Sequence, residues 1–196
     1  MHKIIQAMGA TAFLAAALSA ISVCSMGARG AQEAEAKILA TTEGPVALST
    51  LPTRVSLAAA SAQGSAGGTL AAQLRELPAG GKIRVVLRDL RASAAPGVLF
   101  HIYLDLPEGA KPALDDAHYV GSFNMFNDVV PEGTPVNDAS PGAKRLSFRS
   151  YNITQMARKL EVKHQLTEQT TLTILASRPA EEGSKPVIGR IEIVEQ

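Results

Sequence analysis

Between Gly81 and Phe126 the chain reads GKIRVVLRDLRASAAPGVLFHIYLDLPEGAKPALDDAHYVGSFNMF, and its period-two alternation limits what the protein can become. Ile83, Val85 and Leu87 alternate with Arg84 and Arg88. Further on, Val98, Phe100, Ile102 and Leu104 alternate with Leu99, His101, Tyr103 and Asp105. A repeat of two puts successive side chains on opposite faces of a strand, so each run is a strand buried on one side. Turn-forming clusters, SAAPG at 93–97 and LPEGAKP at 106–112, separate the runs and supply the Pro and Gly that a reversing chain needs.

The same pattern recurs at lower strength on both sides. Short strands are expected over 45–50 and 53–58. One or two helical turns follow from Leu70 to Leu77, a strand from Arg145 to Tyr151, and a helix over Gln155–Leu160 capped by Thr154. Two last strands, 171–177 and 187–194, are joined by the hairpin-like turn RPAEEGSKP. The prolines and glycines of 127–143 mark a long surface loop, and the small residues up to Gly68 a linker. Short strands with Gly/Pro turns and one brief helix predict an all-β fold, an antiparallel β-sandwich of about eight strands spanning 45–196. Its expected core is Ile83, Val85, Leu87, Phe100, Ile102, Leu104, Phe148, Ile174 and Ile191. Residues 31–44 have helical propensity but a poor apolar face, and read as a flexible lead-in.

Residues 1–30 read as a signal peptide: His2 and Lys3, an apolar stretch from Ile4 to Val23, then small residues at Ser25, Gly27, Ala28 and Gly30. A membrane anchor is the competing reading, but the stretch is rich in Ala and runs straight into a cleavage zone. Lipid attachment at Cys24 is disfavoured because Val23 stands where such signals want a small residue. The expected product is an exported chain, periplasmic or extracellular, with no stable membrane span after processing. Cleavage near Gly30 removes Cys24, the only cysteine, and with it any disulfide, thiolate zinc site or cysteine nucleophile. It also lowers the basic residues from 19 to 17 against 18 acidic ones, a net charge of −1 that favours neither nucleic acid nor anionic membrane.

Of four histidines, His2 leaves with the signal. His101, His118 and His164 are too few for a coupled di-copper centre, which needs six imidazoles, and no zinc hydrolase motif is present. A soft copper site from His101, His118 and Met125 is the one metal reading left, and each residue also has a structural explanation. No serine sits in a nucleophile elbow, and neither Gly64–Gly68 nor Gly81-Lys82 completes a phosphate loop. Asp115-Asp116 and Asn127-Asp128 match no calcium loop and read as solvated turns. Asn152-Ile-Thr154 is formally a glycosylation sequon, which the capping role of Thr154 explains. No catalytic residue and no cofactor is therefore expected. In HYVGSFNMF, Tyr119, Phe123 and Met125 share one parity and His118, Val120 and Phe126 the other. One face belongs to the core, and the other presents Tyr119 or Phe126 as a partner-binding residue.

The order PVALSTLPTRVSL, GKIRVVLRDLRA, GVLFHIYLDLPEGAKP, HYVGSFNMF, RLSFRSYNIT and GRIEIVEQ resembles the C-terminal β-sandwich that follows the di-copper domain in tyrosinases, polyphenol oxidases and haemocyanin-like proteins. FHIYLDLPEG followed by HYVGSFNMF is the most specific part. The catalytic domain is missing here, and no copper ligand of that family has a counterpart. In the family this sandwich packs on the copper domain and in some members covers the mouth of the active site. The resemblance thus implies a non-enzymatic protein that binds or shields a separately encoded type 3 copper oxidase. The alternatives are a small periplasmic copper carrier with His and Met ligands, and a carbohydrate-binding or adhesion module, against which the absence of Trp counts.

Overall fold

The computed structural model describes residues 36–60, 68–130 and 147–196, within a compact unit that runs from Ala34 to Gln196. The expected signal segment with Cys24, the linker residues 61–67 and the greater part of the 127–143 loop lie outside the described residues.

Among the described residues, ten strands and two helices follow one another as β1 Lys37–Thr41, β2 Val46–Ala47, β3 Thr53–Ser56, β4 Ala58–Ala59, α1 Leu70–Glu76, β5 Ile83–Arg91, β6 Phe100–Leu104, β7 Tyr119–Phe123, β8 Phe148–Asn152, α2 Thr154–Val162, β9 Thr171–Ala176 and β10 Val187–Glu195. They form two antiparallel sheets. One has the order β4-β1-β10-β5-β8, with β2 pairing on β10, and the other β3-β9-β6-β7. The predicted antiparallel β-sandwich is the observed fold, with two helices in place of one. No helix among the described residues is long and apolar enough to cross a membrane.

The core lies between the sheets. Ile83, Val85 and Leu87 of β5, with Ile191 and Ile193 of β10, face Phe100, Ile102 and Leu104 of β6 and Leu172 and Ile174 of β9, all buried. Phe100 stacks on Phe123 with ring centroids 5.3 Å apart. Alternation along β5 breaks at Asp89, whose φ of 55° switches the parity so that Leu90 and Ala92 are buried after Leu87, while the pairing with β10 continues in unbroken register. Gly189 lies opposite, because a Cβ there would stand 2.6 Å from that of Asp89.

Several expectations are corrected. The segment 31–44 is no loose lead-in: β1 pairs with β10 from Lys37↔Glu195 to Thr41↔Glu192 and buries Leu39 and Ala40. The stretch 53–58 splits at buried Leu57, so that β3 lies in one sheet and β4 in the other. RPAEEGSKP makes no hairpin, since β9 and β10 belong to opposite sheets. Thr154 is the first residue of α2 and does not precede it. Its hydroxyl accepts the Ile83 N–H (2.8 Å) and donates to Asn152 Oδ1 (2.8 Å), which also accepts the Thr154 N–H (3.1 Å). Thr154 therefore ties the helix to the start of β5, and Asn152 caps it.

Phe148 is the one member of the expected core that is not buried; it is 58% exposed. In β8 it pairs with Arg88, and Tyr151 pairs with Val85. Directly opposite residues share a face, so Arg149 and Tyr151 point inward and Phe148 points out.

Candidate protein-binding surface

The two sheets meet along β7 and β8, each the last strand of its sheet. Here β7 carries an irregularity: Ile102 pairs with Gly121 but Tyr103 pairs with Tyr119, leaving Val120 as a bulge. The bulge reverses the parity, so Tyr119 and Phe123, expected on one face, lie on opposite faces. Phe123 and Met125 are buried in the core, whereas Tyr119 is half-buried on the outer face. There it tilts against Tyr103 (centroids 5.4 Å) and His101 (6.1 Å). Burial raises the Tyr103 hydroxyl above its ordinary pKa, and the charges of Tyr119 and Asp116 add to the shift.

The candidate metal residues do not converge. His118 is buried with Nδ1 2.7 Å from the Leu104 carbonyl, which makes Nδ1 the protonated donor, and its backbone N–H donates to Asp116 Oδ1 (2.8 Å). His101 stands on the outer face opposite Ser122, with Nδ1 buried and unpartnered. Met125 is in the core, on the other side of the sheet. Among the described residues no three His, Cys, Asp or Glu side chains are grouped as a metal site. Of the turn acids, Asp128 is not solvated as expected but buried, in an ion pair.

That ion pair builds the corner. Arg149 Nη2 reaches Asp128 Oδ2 (2.9 Å) and the Asn124 carbonyl (3.3 Å), and the Ser147 hydroxyl donates to Asp128 Oδ1. Next to it, the Tyr151 hydroxyl donates to the Ser122 carbonyl (2.9 Å), occupying a backbone acceptor on the free edge of β7. Its ring lies over Gly121, where a Cβ would be 2.7 Å from the ring. Burial pushes the Tyr151 hydroxyl up to about 12, with Arg149 opposing and Tyr119 reinforcing the shift. The group stays protonated, and a donor, across the neutral range.

With Arg149 and Tyr151 turned inward, the large apolar groups of the corner face solvent. Phe148 adjoins Arg149. Phe126, 56% exposed, sits two residues before Asp128 in a turn closed by Asp128 N–H to the Met125 carbonyl (3.2 Å). Val130, also exposed, follows Asp128 by two residues and donates its N–H to the Ala92 carbonyl (2.8 Å). Exposed apolar groups on either side of the Asp128–Arg149 ion pair have the chemistry of docking anchors. Of the two expected partner-binding residues, Phe126 lies here. Tyr119 lies at the other end of β7, about 13 Å from Phe123 at strand spacing. Phe148 was missed, because RSYNIT and RLSF place a large apolar group on each parity of the same strand, and alternation cannot choose between them.

A search of curated proteins finds no match. Among solved structures the chain is similar to latent aurone synthase (polyphenol oxidase) from its natural source, at 13% identity and a TM-score of 0.44 over 78% of this chain and 25% of that one. It is likewise similar to latent apple tyrosinase, at 16% identity and a TM-score of 0.44 over 77% of this chain and 27% of that one. The chain thus spans about a quarter of the length of these structures. Residues 35–196 match the family model described as "Domain of unknown function (DUF7868)", and it is to this family that the chain belongs.

Proposed function

We propose that the protein is an exported, non-enzymatic β-sandwich that binds another protein through the Phe126–Phe148 corner, and that its partner is a separately encoded type 3 copper oxidase, which it shields or helps to assemble. The observation that carries the binding role is the exposure of these two phenylalanines beside the ion pair of Arg149 with the buried Asp128. Solvated apolar groups that size, on rigid backbone, are stabilised when a partner covers them. The nature of the partner rests on the sequence resemblance of FHIYLDLPEG and HYVGSFNMF to the tyrosinase C-terminal sandwich.

Pull-down of the copper oxidase of the same organism on the immobilised protein tests the pairing, and oxidation of a phenol in the presence of added copper tests the non-enzymatic reading. Association without turnover is expected; turnover by the purified protein alone overturns it. Mass spectrometry of the exported form should find an N-terminus between Met26 and Gln32. The carrier reading has one observation on its side, the unpartnered Nδ1 of His101. Tight uptake of one copper ion, lost on substitution of His101 or His118, replaces the present reading.

A further inference from the structure

The outer face of the larger sheet, next to Phe148, has a chemistry of its own. The register places Phe148, Arg88 and Arg190 on one rung, Ser150, Val86 and Glu192 on the next, and Asn152, Arg84 and Val194 on the third. Arg88 and Arg190 are directly opposite each other, an arrangement that repels unless something lies between them. Glu192 does so. Its carboxylate, 2% exposed, takes Arg88 Nε at 2.6 Å and Arg190 Nη1 at 3.5 Å. Arg84 is held in the same way, by Nε to Ser150 Oγ at 2.7 Å.

Both β5 arginines are therefore anchored through Nε, and their terminal nitrogens donate to nothing among the described residues. The Arg88 and Arg190 side chains are 46% and 58% exposed. Three guanidinium groups against one buried carboxylate leave the rungs with a net charge of +2, and Asp89 and Arg91, further along β5, add one charge of each sign. A planar fork whose orientation is already fixed loses little entropy in binding, and its free end matches a carboxylate.

We infer that this face is the docking surface for a carboxylate-rich protein segment. An acidic side chain of the partner is received between the terminal nitrogens of Arg88 and Arg190, and an apolar neighbour packs on Phe148. The argument for this occupant is charge complementarity together with the exposed ring on the same rung. It rests on the proposed protein-binding function and adds the chemistry of the partner's surface.

The test is a ¹H–¹⁵N titration that includes the arginine Nε–Hε signals, with a synthetic peptide of alternating Glu and Leu as probe. A Lys/Leu peptide and sodium sulfate at matched ionic strength serve as controls. The acidic peptide is expected to shift Arg88 Nε–Hε and the β5 and β10 amides to saturation. Affinity should fall with added salt and drop about tenfold in Arg190→Gln, as befits the loss of one charged hydrogen-bond partner. Because Arg88→Gln alone would strand the buried Glu192, the second variant is Arg88→Gln/Glu192→Gln, which neutralises both and should weaken the peptide similarly with an unchanged melt. Equal shifts with sulfate, meaning an adventitious ion only, overturn the inference. So does equal binding of the Lys/Leu peptide, or wild-type affinity in both variants. Oxidase capture by a protein that ignores the acidic peptide overturns this inference and leaves the proposed function standing; peptide binding without oxidase capture does the reverse.

Discussion

Replacing Asp105 with Ala should be among the most damaging changes available at a polar position. Asp105 follows β6 directly, where the chain leaves for the loop that carries His118, and it is buried. Its Oδ1 accepts from Thr171 N–H (2.7 Å) and the Thr167 hydroxyl (2.9 Å), and its Oδ2 accepts from Thr167 N–H (3.1 Å). The Asp105 N–H returns a bond to the Thr171 carbonyl (2.8 Å). Alanine leaves two backbone donors without their acceptor, each worth about 1–3 kcal/mol. It also places a residue without a local hydrogen-bonding side chain at φ 46°, adding about 1 kcal/mol. The sum, roughly 3–7 kcal/mol, is a large share of the ~5–15 kcal/mol that a domain has to lose. Asparagine tolerates that backbone and keeps one acceptor, so Asp105→Asn should cost about half as much. Urea melts of the two variants, read at constant m, give the comparison, and hydrogen exchange at the Thr167 and Thr171 amides should accelerate. An alanine variant within 1 kcal/mol of wild type would refute the account of this clasp.

Other positions give sharp contrasts. Phe100→Ala should cost about 3–5 kcal/mol because its ring is enclosed between the sheets, while Phe148→Ala should change the melt by less than about 0.5 kcal/mol. Gly121→Ala should destabilise by about 1–3 kcal/mol, since its methyl meets the Tyr151 ring, and Tyr151→Phe combined with it should not relieve the clash, because the ring remains. The Tyr151 hydroxyl has its pKa raised from 10.0 to about 12, so between those values the folded state binds more protons than the unfolded one. Stability should be fully present below pH 10 and fall as pH rises towards 12; this component should be missing from Tyr151→Phe in melts taken across that range.

The sandwich was legible because in β5, β6 and β9 the apolar core-facing residues alternate with polar or charged ones, and a period of two in polarity is what marks a strand. What the sequence did not disclose depends on contacts between distant residues. β1 has its two core residues, Leu39 and Ala40, side by side at a register shift, so its strand character comes from pairing with β10 at the other end of the chain. The bulge at Val120 turned Tyr119 away from the core, and its one local mark is the isolated Gly121 beside it. The corner was hidden for the same reason: Asp128 sits in a Pro/Gly-rich stretch that looks solvated, and only the fold brings Arg149 to it. Once Arg149 and Tyr151 are known to face inward, the exposure of Phe148 follows.

Calorimetric titration of the purified protein with the copper oxidase of its own organism, repeated with Phe126→Ala/Phe148→Ala, tests the central claim most directly. Two anchors at a protein interface are worth about 2 kcal/mol or more between them. The double variant should therefore bind at least about thirtyfold more weakly than wild type while unfolding at the same denaturant concentration. Wild-type affinity in the double variant, or no heat of binding from the wild-type protein, would contradict it.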